Sequence, residues 1–325
     1  MRHLLRRLGF YLVALWASLT VNFIIPRMAP GDPAQTLIGQ MRGQASPQAL
    51  QSLRELLGEG SGTSWWTQYG QYFVNLLHGN LGISARYSGQ PVTLMIGQGL
   101  LWTLGLVGMA VLISFFLGTL LGILAAWKRN SWLDSTLTPL FTFLAAIPYF
   151  WFALILVYIL GYTLRWFPEA YGYDVFTVTQ GWNADFVVSV IQHAFLPALA
   201  IVVSSISGWL LAMRNTMLTT LSEDYVLLAQ AKGLSEHRVM IAYAARNAIL
   251  PSITGFALSL GFVVSGSLLT EIVFNYPGLG FILLQAVQNN DYALIQGIFL
   301  CVAVAILASN FLVDLVYIFL DPRVR

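Results

Sequence analysis

Between two long apolar runs the chain inserts EDYVLLAQAKGLSEHRVMIAYAARNAILP, Glu223 to Pro251. The segment is polar, helix-forming and interrupted by one glycine. A loop joining membrane helices needs only a few residues; this one spends 29. Ser222-Glu223-Asp224 starts a helix, because acidic groups are stabilised at the positive end of a helix dipole. Tyr225, Leu228 and Ala229 line one face of that short helix, which runs to Lys232. Gly233 permits a left-handed turn that would cost another residue about 1–2 kcal/mol. Ser235 caps a second helix toward Asn247, and Pro251 opens the next apolar run. Ala229 and Ala231 keep one face slim enough to lie in a groove. An amphipathic helix lying flat on a membrane would explain the apolar face, but neither the glycine hinge nor the small residues. A lever gripped from outside the membrane explains all three.

The surroundings of this loop demand lipid. Of 325 residues 57% are hydrophobic and 9% charged, against about 25% charged in soluble domains. So few charges cannot cover a water-facing surface. A net charge of +2 and the absence of a basic cluster beyond the N-terminus exclude nucleic acid as a partner. A single cysteine, Cys301, sits in an apolar run as a packing residue, which excludes disulfides within the chain and a thiolate metal site.

A bilayer needs roughly 20 apolar residues per helix. Six segments meet that length, at about 8–25, 101–127, 137–162, 195–213, 251–269 and 294–320. The first is read as a retained span, since its apolar core is too long for a signal peptide and no small-x-small site follows. The fifth carries Gly255, Ser259, Gly261, Ser265, Gly266 and Ser267, and Gly118 and Gly122 form a similar pair in the second. Small residues four apart let helix backbones approach closely. The fifth helix is therefore expected to be central and shielded from lipid, by ordinary close packing or by lining a pathway.

Lys and Arg set the orientation. With six spans both termini share a side, which then holds Arg2, Arg6, Arg7, Lys128, Arg129, Arg214, Lys232, Arg238, Arg246, Arg323 and Arg325. The opposite side holds Arg27, Arg42, Arg54, Arg86 and Arg165. Both termini and the 222–250 loop are thus expected in the cytoplasm. The long outer loop, 28–98, has turn chemistry at Pro30-Gly31-Asp32-Pro33, a helix starting at Ser46-Pro47 and stopped by Gly58, and a second from Ser64. That second helix puts Trp65, Tyr69, Tyr72, Phe73 and Leu76 on one side. The aromatic face could rest at the lipid interface, pack on the bundle or dock an external protein.

Catalytic constellations are missing. The four histidines, His3, His78, His193 and His237, are scattered over both sides of the membrane, and no Ser/His/Asp arrangement shares a depth. A P-loop needs Gly residues followed by Lys and Ser/Thr, yet the two lysines are followed by Arg129 and Gly233. The ionisable residues within the apolar runs are Asp314 and Glu271, both near helix ends where water or a partner is within reach. No chain of buried acids marks an ion-driven carrier.

The loop resembles the EAA loop of ABC-transporter permeases, whose Glu, small residues, Gly and distal Ile-Leu-Pro are matched by Glu223, Ala229, Ala231, Gly233 and Ile249-Leu250-Pro251. Asp224-Tyr225-Val226 and Ala231-Lys232-Gly233-Leu234 are similar to the dipeptide/oligopeptide/nickel subfamily, and to its B-type permease in particular. Further matches are Pro30-Gly31-Asp32-Pro33, Gln68-Tyr69, Gly79-Asn80-Leu81-Gly82, Ile147-Pro148 with Phe150-Trp151, and His193 with Leu196-Pro197. Glu271, Phe274, Pro277-Gly278-Leu279-Gly280, Gln296-Gly297 and Asn310, Asp314, Asp321-Pro322-Arg323 continue the series to the C-terminus.

The resemblance implies an all-α integral membrane protein with six transmembrane helices in the type I ABC importer permease fold. It is one domain, 1–325, with an extracytoplasmic loop at 28–98, core helices at 100–320 and a cytoplasmic coupling loop at 222–250. The implied function is that of one membrane subunit of an ATP-driven importer in a bacterial or archaeal cytoplasmic membrane. Its implied partners are a second, homologous permease, two ABC ATPase subunits, an extracytoplasmic solute-binding protein and the bilayer. ATP and Mg belong to the ATPases; this chain is expected to bind no cofactor and catalyse nothing. The solute is expected to be a di- or oligopeptide, with oligosaccharides or nickel complexes as alternatives and an ion-coupled carrier or channel as the rival class. ATPase contact falls to Glu223, Asp224, Tyr225, Leu228, Ala229, Ala231, Lys232 and Gly233. Ser259, Phe262, Ser265, Gly266 and Glu271 are the pathway candidates.

Overall fold

The computed structural model describes residues 2–28, 64–84, 86–87, 90–264 and 267–320. The expected turn at Pro30–Pro33, the helix from Ser46, the pathway candidates Ser265 and Gly266, and the tail motif Asp321-Pro322-Arg323 lie outside the described residues. Within them the chain is helical: α1 Arg2–Met28, α2 Trp65–Leu77, α3 Val92–Trp127, α4 Trp132–Ala146, α5 Tyr149–Thr163 and α6 Ala184–Leu221. Then follow α7 Asp224–Ala231, α8 over 236–248, α9 Leu250–Val263, α10 Leu268–Val273, α11 Leu279–Gln288 and α12 Tyr292–Leu320. Three stretches are wound as π-helix: Leu104–Gly108 in α3, Val157–Thr163 in α5 and Val239–Ala245 in α8.

Four helices among the described residues are long and apolar enough to cross a bilayer: Arg7–Ile25 of α1, all of α3, all of α6, and Tyr292–Asp314 of α12. The third predicted span is not one helix. It breaks into α4 and α5 with a bend of 95°, and counting that pair as one span raises the number to five. The break has a local cause. Pro148 lacks a donor and pushes the residue before it out of the helical region, and Ile147 is extended at φ −83°, ψ 123°. The fifth predicted span is also shorter than expected, because α9 has 14 residues. At 1.5 Å per residue that is about 21 Å, short of the roughly 30 Å of a hydrocarbon core. The fourth span is longer than its apolar run: α6 has 38 residues, and the Asn183 side chain caps its start by accepting from the Phe186 amide at 2.8 Å.

The chain forms two compact units, one from α1, α2, α3 as far as Thr103, α11 and α12, the other from Leu104–Val263 and Leu269–Tyr276. In the first, Val92, Met95 and Ile96 of α3, Leu279, Ile282 and Ala286 of α11, and Leu294, Ile295 and Ile298 of α12 make a common core. Two hydrogen-bonded clasps fix α1 on α12. Asn22 Nδ2 donates to the Gln296 carbonyl at 2.8 Å, while Gln296 Nε2 donates to the Asn22 carbonyl at 3.3 Å. Farther down, Arg7 forms an ion pair with Asp314, which also accepts from the Tyr11 hydroxyl at 2.7 Å. Asp314 is thus held within the chain. At the other end of α12 the fully buried Asp291 accepts from Ser84 Oγ, the Arg86 amide at 3.0 Å and the Leu294 amide at 3.1 Å. It caps the helix and pins the segment that precedes α3.

In the second unit α3 and α6 touch backbone to backbone. A methyl group on Gly118 would stand 2.8 Å from the Ile206 carbonyl oxygen, and one on Gly122 would stand 2.6 Å from that of Leu210. The small pair in the second span therefore serves close helix approach, as its spacing predicts. Asp134 locks α4 to α6 through a two-pronged ion pair, Arg214 Nε to Oδ1 at 2.7 Å and Nη2 to Oδ2 at 2.9 Å. The Thr138 hydroxyl and the Asn130 amide complete its partners at 2.9 and 3.2 Å.

Candidate coupling surface and pathway residues

The eight loop residues singled out from the sequence stand together on α7 and its two ends. Glu223 occupies the N-cap in an extended conformation and Asp224 the first turn, both exposed. Two buried side chains hold α7 down. Val226 and Ala229 point into a core with Ile123 and Ala126 of α3, Met213 and Met217 of α6, and Val239, Ala244, Ala245 and Ala248 of α8. This corrects one expectation. Ala229, 2% exposed, faces its own chain and lines no outer groove. The physical reason is the shortness of α7: a helix of eight residues must spend one stripe, i and i+3, on anchorage to stay folded. The outward face is then Tyr225, Leu227, Leu228, Ala231 and Lys232, with Leu228 55% exposed. Leu227 is an outward residue that the sequence pattern did not single out.

The end of α7 is a Schellman turn. Gly233 has φ +70°; its amide donates to the Gln230 carbonyl at 2.9 Å, and the Leu234 amide donates to the Ala229 carbonyl at 3.4 Å. Leu234 then packs on the same core that holds Ala229, the hydrophobic contact that usually accompanies this motif. Nothing lies within 4 Å of where a Gly233 side chain would begin, so backbone conformation alone requires glycine there. The returning helix is tied back as well: Asn247 Nδ2 donates to the Tyr225 hydroxyl at 2.9 Å and to the Tyr243 carbonyl at 3.2 Å. The sequence pattern marks Asn247 only as the end of a helix. Its role as a cross-tie needs the hairpin geometry, which no spacing rule discloses. From α8 the chain enters α9 almost without interruption, the Ile253 amide donating to the Ile249 carbonyl at 2.9 Å.

The pathway candidates are less concentrated. On α9 the Ser259 hydroxyl is half-buried and donates to the Phe256 carbonyl at 2.7 Å, while Phe262 is 58% exposed. One side of α9 is covered within the chain. Phe256 stacks on Phe115 with ring centroids 4.4 Å apart, and Gly255 admits the Trp209 ring. Ile253, Leu260 and Phe262 stay exposed on its flanks, so among the described residues the expected shielding of this helix is incomplete. Glu271, expected near water or a partner, is fully buried instead. It lies on α10, whose last turn folds back so that the Tyr276 amide donates to the Glu271 carbonyl at 2.8 Å. Burial first, and then the Glu271 carboxylate, push the Tyr276 phenol up. The segment after α5 closes over this corner, with the Tyr171 amide donating to the Phe274 carbonyl at 2.9 Å.

Residues 118–325 match the family described as binding-protein-dependent transport system inner membrane component. The chain belongs to this family, and is a multi-pass component of the cytoplasmic membrane. It is similar over nearly its whole length to peptide-transport permeases. The dipeptide transport system permease protein DppB of Alkalihalophilus pseudofirmus is 34% identical, over 99% of this chain and 98% of the relative. The protein of the same name from Escherichia coli is 33% identical over 100% and 99%. A putative peptide transport system permease protein of Brucella abortus is 34% identical over 99% and 98%. The match reaches across 1–117 as well, so the first helices are part of the same protein type.

Proposed function

We propose that this chain is one of two permease subunits of an ATP-driven importer of di- or oligopeptides, with both termini and α7 in the cytoplasm. The observation that carries the reading is the mounting of α7. It is a short helix with an uncommitted outward face, anchored at the base of α3 and α6 and joined through a rigid hairpin to α9. Such a helix transmits a push without bending. ATP-dependent closure of two ATPase subunits moves α7, and α9 tilts with it, in the manner of near-rigid bodies exchanging two arrangements. The eight residues 223–225, 228, 229 and 231–233 form or hold this surface: Glu223, Asp224, Tyr225, Leu228, Ala231 and Lys232 by contact, Ala229 and Gly233 by positioning it.

A second, homologous permease covers the exposed flank of α9, so that Ser259 and Phe262 line the path between the two subunits; Ser265 and Gly266 are assigned to the same path from the sequence pattern, and Glu271, buried within this chain, is not. An extracytoplasmic binding protein delivers the peptide, as the family description and the names of the relatives suggest. ATP and Mg remain on the ATPases. The test is reconstitution of the chain with its cognate permease, ATPases and binding protein in liposomes, followed by uptake of labelled peptides. Uptake should require ATP. Glu223→Lys should abolish it while leaving the complex assembled, and Phe262→Cys should react with aqueous thiol reagents in a turnover-dependent way. Uptake that persists without the ATPases, or undiminished by Glu223→Lys, would refute the reading.

A further inference from the structure

The amphipathic helix α2 has three distinct sides, and among the described residues one of them packs on α1. Tyr69 and Tyr72 pack on Phe23 of α1 with ring centroids 5.2 and 5.5 Å apart. The Thr20 hydroxyl already donates to the Trp16 carbonyl, so the Tyr69 hydroxyl donates to Thr20 Oγ1, at 2.7 Å. Asn22 Nδ2 adds a contact to the Tyr72 hydroxyl at 3.4 Å. Thr20 and Phe23 belong to the last turns of the Arg7–Ile25 span. This face therefore fixes α2 at one depth, where the first span leaves the hydrocarbon core at the end remote from the N-terminus.

The two remaining sides differ in chemistry. At about 100° per residue, Trp66 and Leu77 fall on one flank, where they are 81% and 86% exposed, and Val74 marks the border with the next arc. The next arc carries Thr67, Gln71 and Asn75, with Gln71 Nε2 donating to Asn75 Oδ1 at 3.1 Å. The helix, WWTQYGQYFVNLL, has no charged residue. On α1, Val21 and Ile25 are exposed as well, and they face lipid once that helix spans the membrane.

We infer that α2 lies in the bilayer interface, dipping Trp66 and Leu77 into lipid while Thr67 and Gln71 face water. Trp and Tyr favour this depth because each has an apolar ring and a polar group, and an interfacial helix gains its affinity from the apolar area it buries. With no cationic residue on α2, the interaction needs no anionic headgroup. The helix braces the outer end of α1 against the membrane plane. This inference rests on α1 being a span, and the experiment separates the two.

In a Cys301→Ser background, single cysteines at Trp66, Leu77, Thr67 and Gln71, and at Leu12 of α1 as a control, are labelled with an environment-sensitive fluorophore. The complex is reconstituted in phosphatidylcholine vesicles, with and without phosphatidylglycerol. Doxyl-labelled lipid should quench positions 66 and 77 several-fold more strongly than 67 and 71, and aqueous iodide should show the opposite order, in both lipid compositions. Equal access of iodide to both flanks overturns the inference. So does shielding of 66 and 77 from both quenchers, the result expected if a protein covers this flank, and so does lipid quenching that needs phosphatidylglycerol. If Leu12 is not quenched by lipid, the span itself fails.

Discussion

Substitution at Gly233 offers a clean probe of the coupling surface, because one cause governs its outcome. The residue sits at φ +70° with no atom near enough to obstruct a side chain, so sterics with neighbours drop out. Alanine meets only the backbone penalty of the left-handed region, about 1–2 kcal/mol, which lowers the ratio of turned to unwound loop by a factor of about 5–30. Asparagine visits this region more readily and should fall between glycine and alanine. Proline cannot adopt the turn at all. Its φ is fixed near −65°, and it removes the amide that donates to Gln230. The predicted order is Gly, Asn, Ala, Pro. Two measurements read it independently. Hydrogen exchange over 228–238 reports opening of the turn through the Leu234 amide, held by Ala229 in the native loop. ATP-driven uptake by the reconstituted complex reports coupling. Exchange and uptake should worsen together along the series. If alanine exchanges no faster than glycine, or asparagine proves as damaging as proline, the left-handed turn is not what the position requires.

The remaining predictions concern the frame that holds the loop. Asp134→Ala leaves the Arg214 guanidinium without its two-pronged partner and should cost about 3–5 kcal/mol. Asp134→Ala combined with Arg214→Met should recover part of that loss, read as thermal unfolding of the purified complex; equal melting of the single and double variants would contradict the pairing. Gly122→Leu drives a side chain into the Leu210 carbonyl and Met213 and should destabilise by about 1–3 kcal/mol or more, whereas Gly97→Ala, with open space around it, should be close to neutral. A folding assay that ranks the two alike would rule out close approach of α3 and α6.

Much of this was legible because membrane physics leaves strong marks in a sequence. A charged fraction of 9% requires lipid, and Gly118 and Gly122 announce a close helix pair that the backbone distances bear out. Gly233 at the end of a polar helix announces a left-handed turn, because few other residues tolerate one. Hydropathy failed where local backbone rules override it. The run 137–162 reads as one span by composition, yet the donor lost at Pro148 and the extended Ile147 turn the chain through 95°. Both residues were in view, but an apolar average carries no record of a bend.

What the sequence determined by itself, then, is whatever depends on residue type and spacing along one helix: the membrane class, the family motif, the glycine turn and the small-residue contacts. Tertiary structure alone decided which stripe of α7 is anchored and which is offered, that Tyr225 is tied to Asn247, that Asp134 meets Arg214 and Asp291 meets Ser84, and that Glu271 is buried. These pairings join residues from 22 to 207 positions apart. They depend on how separate helices are rotated and stacked against one another, and a periodicity read along a single helix is the same for every such rotation.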